Sequence, residues 1–153
     1  MTEPERLADQ LRRAMEGGAW HGPAVLEALA GVSAAQAAAR PAIGTHSIWQ
    51  LVLHLGGAYR LVLRRLRGDA TPLAPDEDWP PVAEPSEDNW RAAIAELRAL
   101  NAEAREAVAG FDPARLDKPL VPDPSYTAYT QFVGLTQHDL YHAGQVALLK
   151  KGG

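Results

Sequence analysis

"TQHDLYHAGQVALLKK", residues 136–151, sets two of the chain's five histidines four positions apart in a segment otherwise composed like a buried helix. At 3.6 residues per turn, Leu135, His138, His142, Val146 and Leu149 fall on one stripe, because steps of three and four return to the same face. A neutral imidazole buried there without a partner costs about 1–3 kcal/mol, so two of them one turn apart need a reason. One reason is hydrogen bonding to carbonyls or to Asp139 and Gln145. The other is a metal ion chelated from a single helix face, as in zinc-binding helices. The spacing alone leaves both open.

Upstream, alanine is abundant and β-branched runs are scarce, which favours helix along most of the chain. A first helix is expected over residues 3–16, with Leu7, Leu11 and Met15 on one side and Gly17-Gly18 as its stop. A shorter one starts at Pro23 and carries Val25, Leu26 and Leu29; Ser33 caps one more turn that ends before Pro41. A long helix follows, capped by Thr45 or Ser47 and ended by Gly68, with Ile48, Leu51, Val52, Leu55, Tyr59, Val62, Leu63 and Leu66 at core spacing. Residues 71–85, "TPLAPDEDWPPVAEP", hold five prolines and are expected to be an irregular crossover or lid. Ser86 caps a third long helix to about Ala109, facing Trp90, Ala93, Ile94, Leu97, Leu100, Ala104 and Val108 inward. After a second irregular connection, "FDPARLDKPLVPDPS", the last helix begins between Ser125 and Tyr129 and runs to about Lys150. Four principal helices within 153 residues point to an all-α four-helix bundle with long irregular connections, one domain over 1–153.

Composition excludes several classes. The net charge of −4 argues against a nucleic-acid partner. The absence of cysteine removes disulfides, thiolate nucleophiles and thiolate ligands at once. "MTEPERLADQLRR" has no apolar core and does not read as a signal peptide, and no apolar run reaches the roughly 18 residues of a membrane span, so no membrane and a cytoplasmic location are expected. Di-iron bundles need Glu-x-x-His pairs, and none occurs; Walker and G-x-S-x-G patterns are also missing.

A third ligand would decide between the two readings of the pair. His54, in "WQLVLHLGGAYR", sits at the edge of the second long helix's apolar arc. If the helices alternate in direction, the second and fourth run parallel and bring His54 level with His138 and His142. His46 lies eight residues earlier, about 12 Å along a helix axis at roughly 1.5 Å per residue, too far to share one ion. It belongs instead to the helix N-terminus, against backbone or solvent, while His21, after Trp20, reads as surface or pocket rim. Gly56 and Gly57 cost about 1 kcal/mol each inside a helix, so they admit a close neighbour or leave room for a ligand.

"HSIWQLVLHL" and "QHDLYHAGQVALLKK" together resemble the DinB-like (DinB/YfiT) superfamily of metal-dependent enzymes, and "AWHGPAVLEAL" and "RRLRG" extend the resemblance over essentially the whole chain. The matching positions are His54, His138, His142, Gly144 and Gln145. The resemblance implies a four-helix bundle, a divalent metal held by His54, His138 and His142, and often a homodimer. It also implies chemistry on a small-molecule substrate, such as thiol-dependent S-transfer or isomerisation with a low-molecular-weight thiol cofactor.

Three neutral ligands leave an open coordination position, the pattern of catalytic sites. Zinc, nickel, iron and manganese all accept imidazole. With no cysteine in the chain, any thiolate must arrive with substrate or cofactor. "HDLYH" echoes the H-E-x-x-H of zinc peptidases, but Asp139 is one carbon short of the general base, so it reads as a solvated or outer-shell carboxylate; Gln145 is placed to orient His142 or a bound substrate. The leading expectation is a thiol-dependent S-transferase or a hydrolase. Its rival is a non-catalytic metal-binding or stress-related homodimeric protein. A second apolar arc of Val133, Leu140, Tyr141 and Leu148 on the last helix is expected to be the dimer surface.

Overall fold

The computed structural model describes residues 1–42, 44, 46–122 and 126–152. The helices are α1 (Glu3–Glu16), α2 (Val25–Leu29), α3 (Ala34–Ala38), α4 (Ile48–Leu66), α5 (Pro75–Asp78), α6 (Glu87–Ala109) and α7 (Ala128–Gly152), with one 3-10 turn at Pro113–Arg115. No strand occurs among the described residues.

Local chemistry sets most of these ends. Thr2, Ser33 and Ser47 each accept from the amide three residues on, and Glu5, Gln36 and Gln50 return a bond to the cap backbone. Ser86 caps α6 through the Asn89 amide. Of the two caps expected for α4, Ser47 is the one used; Thr45 lies outside the described residues, as does Ser125 before α7. Pro23 stands outside α2, whose cap is Ala24, so that helix starts two residues later than expected. Gly68, at φ +84°, takes the left-handed conformation that turns the chain off α4. Residues 71–85 are not wholly irregular: Pro75 opens α5, one turn that packs on α4.

The bundle closes as a ring in which α1 packs on α6 and α7, and α4 packs on the same two helices from the opposite side. Leu7, Leu11 and Met15 of α1, Leu51, Val52, Leu55 and Tyr59 of α4, Trp90, Leu97 and Val108 of α6, and Phe132, Leu135 and Val146 of α7 fill the centre. The Trp49 and Trp90 rings, 5.1 Å apart, plug one end.

Side-chain pairs give the directions. His54 meets His142, Tyr59 meets Asp139 and Arg65 meets Gln131, so numbering rises along α4 while it falls along α7. Trp49 meets Trp90, Arg60 meets Glu96 and Arg67 meets Glu103, so α4 and α6 run parallel. The expectation that α4 and α7 are parallel is therefore overturned. The long crossover returns the chain to the end where α4 began, α6 repeats the direction of α4, and α7 comes back against both.

Candidate metal centre

His54 comes from the middle of α4, and His138 and His142 come from successive turns of α7. The His138 Nε2 lies 3.0 Å from the His54 Nε2 and 3.1 Å from the His142 Nε2, and one ligand atom from each of the three residues lies within 4.8 Å of the others. The rings meet edge to face, at 68–90°.

The outer nitrogens reveal which atoms face inward. His54 Nδ1 is 2.8 Å from the Asp78 carbonyl oxygen and 3.1 Å from the Asp78 Oδ1. His142 Nδ1 is 2.6 Å from the Gln145 Oε1, the orienting contact expected of Gln145. Both outer nitrogens face acceptors and so carry the proton, which leaves a bare lone pair on each inward Nε2. His138 Nδ1 is buried and has no partner. Two lone pairs thus compete for at most one N–H, on the His138 Nε2. Hydrogen bonding alone does not satisfy this cluster.

A cation does. Imidazole nitrogens at about 2.0–2.1 Å around a tetrahedral ion stand about 3.3 Å apart, close to the spacing of the inward nitrogens. Burial, then the neighbouring His142 and His54, push the His138 pKa down to about 4. Burial is also the main cause that lowers His142, against the opposing bond to Gln145. Neutral imidazole, the form that binds metal, is the form these positions favour.

The other histidines do not join the cluster. His46 stands before α4 and stacks on Trp79, with ring centroids 3.6 Å apart, and Trp79 stacks in turn on His54 at 3.9 Å. The indole separates the two imidazoles. His46 is therefore against an aromatic wall, rather than backbone or solvent. His21 is exposed at the surface.

Asp139, expected as a solvated or outer-shell carboxylate, is fully buried, which overturns the solvated alternative. Tyr59 Oη donates to its Oδ2 at 2.5 Å, Asn101 Nδ2 donates to Tyr59 Oη at 2.8 Å, and the same amide reaches the Leu11 carbonyl at 3.4 Å. This chain joins all four principal helices. Burial raises the Asp139 pKa to about 7, against the lowering bond from Tyr59. Asn101 escaped notice in the sequence; its signal was a polar residue four positions after Leu97 and three before Ala104, both core.

Of the two glycines of α4, Gly57 serves close packing. A Cβ there would lie 2.7 Å from the Glu77 carbonyl oxygen of α5, whereas one on Gly56 would make ordinary contact with Leu100 of α6 at 3.4 Å. A cavity of about 490 Å3 opens at the start of α4, between Ala38, Arg40 and Pro41 on one side and residues 82–85 on the other. Gln50, in its lining, precedes His54 by one turn, but no histidine of the cluster lines it.

On α7, Tyr141 and Leu148 are 67% and 66% exposed, whereas Val133 and Leu140 are half-buried. Among the described residues, no helix is long and apolar enough to cross a membrane.

The family model of the DinB superfamily matches residues 19–146, a span that holds all three clustered histidines. No curated protein and no solved structure matches the chain.

Proposed function

The chain belongs to the DinB superfamily, and on that premise we propose that it is a metal-dependent enzyme acting on a small molecule, with His54, His138 and His142 holding one divalent ion. The observation that carries this reading is the convergence of three Nε2 atoms with too few protons to satisfy one another. When bound, a divalent ion at three neutral ligands supplies a Lewis-acid centre with an open position, able to lower the pKa of a coordinated water or thiol. The chain's own residues do the rest. Asp78 and Gln145 hold His54 and His142 in the tautomer that faces inward, and α4 and α7 fix the three rings on packed helices.

Thiol-dependent S-transfer and hydrolysis are the two reactions that suit this centre. The chain has no cysteine, so the thiol in the first would be a low-molecular-weight cofactor. The test is metal analysis of the purified protein, followed by a screen of small thiols with electrophiles and of hydrolysable esters and amides, with and without chelator. Stoichiometric metal with chelator-sensitive turnover is the expected result. Stoichiometric metal with no turnover on any pairing would favour a non-catalytic metal-binding protein. Substoichiometric metal after growth and purification with zinc, nickel, iron and manganese would remove the reading.

We also propose a homodimer closed across α7. Tyr141 and Leu148 are a heptad apart and exposed. A monomer by light scattering at micromolar concentration would overturn this.

A further inference from the structure

Gly57 has one neighbour that explains it, the α5 backbone, and that contact leads to a role for the proline-rich crossover. The crossover is laced to α4 at several points. Arg64 donates to Glu77 at 2.5 Å and to the Thr71 and Pro72 carbonyls at 3.2 Å. Glu77 also accepts from the Ala74 amide at 2.8 Å, closing the turn. Its carbonyl then sits where a Cβ on Gly57 would intrude to 2.7 Å. The next two residues reach His54 itself. Asp78 offers both its carbonyl and its carboxylate to Nδ1, and the Trp79 indole lies on the imidazole with an angle of 1° between the planes. His46 covers the other face of the indole at 11°.

An imidazole ligand is directional. Its lone pair lies in the ring plane, so the ligand must be held both in tautomer and in tilt. Asp78 fixes the first and Trp79 the second. We propose that the Asp78–Trp79 turn is the positioning element of the metal centre, with His46 as its outer clamp and Gly57 as the gap that lets it approach. The crossover is then part of the site, and whatever displaces it weakens metal binding without touching a ligand. This rests on the three-histidine reading above.

The test uses the full chain and zinc alone, by competition with a chromogenic chelator. Trp79→Ala and Gly57→Ala are each expected to lower zinc affinity about 10- to 100-fold, the usual effect of losing an outer-shell partner. Trp79→Phe, which keeps a ring on His54, should restore most of it. Gly134→Ala is the control, since its Cβ meets nothing within 4 Å. Cobalt-loaded protein gives a readout that stability does not move: its visible absorption should shift in Gly57→Ala and stay unchanged in Gly134→Ala. Wild-type affinity and spectrum in both Trp79→Ala and Gly57→Ala would overturn the positioning role and leave the triad standing. Equal zinc affinity in wild type and His138→Ala would overturn the triad, and the positioning role with it.

Discussion

His138 and Asp139 are adjacent in α7 and enter two different polar clusters in the same core. Asp139 ends a chain in which hydroxyl, amide and carboxylate pair donor to acceptor, from Leu11 through Asn101 and Tyr59. His138 enters a cluster of three inward nitrogens with at most one proton among them. Both are polar groups inside a helical bundle, Asp139 fully buried and His138 half-buried. The difference lies in what is left over. The Asp139 chain ties four helices in one register and leaves only Oδ1 of the carboxyl without a partner; the histidine cluster turns three ring nitrogens with too few protons on one another, the arrangement a cation would complete. The first cluster is read as architecture and the second as a binding site.

The two clusters differ most at the histidines. His138→Ala should lower metal affinity by orders of magnitude while helix content and metal-free stability stay close to wild type, because the lost imidazole had an unpaired nitrogen. His54→Ala and His142→Ala should behave alike, each read by chelator competition and circular dichroism. In wild type, a free metal concentration a thousandfold above Kd should stabilise the fold by about 4 kcal/mol over the metal-free protein, and the gain should vanish in all three variants. A variant that keeps wild-type affinity would remove its histidine from the ligand set.

Tyr59→Phe is the reciprocal change. It strips Asp139 of its donor and Asn101 of one of its two acceptors inside the core, which should cost about 1–3 kcal/mol in denaturant unfolding. Zinc affinity per folded chain should not move. If affinity fell in step with stability, the two clusters would be one coupled network and the distinction between them would fail.

How far the sequence foretold this division depends on the reach of each interaction. Ser33, Ser47 and Ser86 marked helix starts because capping is made within three residues. The His138/His142 pair was visible for the same reason, at one helical turn. The structure brings His54 beside them, but not by the parallel course of α4 and α7 that the sequence reading assumed. Alternation of helices is a rule for short loops, and the crossover before α6 breaks it by restoring the direction of α4. Asp139 and Asn101 were misjudged or missed because their partners lie on other helices, and no local pattern names them. The Asp78–Trp79 turn was hidden by its prolines, which correctly forecast a break in regular structure and say nothing of where the break docks.

In metal-free protein, the two clusters respond to pH in opposite senses. Asp139 in the folded state keeps its proton up to about pH 7, against an ordinary value of 3.8, so it makes stability fall as pH rises through that window. His138 behaves oppositely. Folded, it resists protonation down to about 4, against an ordinary 6.5, so it makes stability fall as pH drops from 6.5 toward 4. The lowered His142 adds to the histidine side. In wild type the two effects oppose each other between about pH 4 and 6.5. Asp139→Asn removes one of them, and its stability should decline more steeply than wild type's as pH falls across this range. Parallel pH curves for the two proteins would mean that Asp139 is ionised in the fold.

The smallest effect is expected at His46. It is an imidazole near the cluster, and proximity alone would make it a fourth ligand. Trp79 stands between it and His54, with ring centroids 3.6 Å and 3.9 Å away on either face. An indole has no lone pair to offer a metal and blocks the approach of the ring behind it. His46→Ala removes only the backing of the indole, so zinc stoichiometry should be unchanged and affinity should fall by less than about tenfold, below the usual range for a direct outer-shell partner. Tryptophan emission should respond more than affinity does, since one face of Trp79 becomes open to water. A His46→Ala protein that loses its metal altogether would place His46 among the ligands and require the indole to move aside when the ion binds.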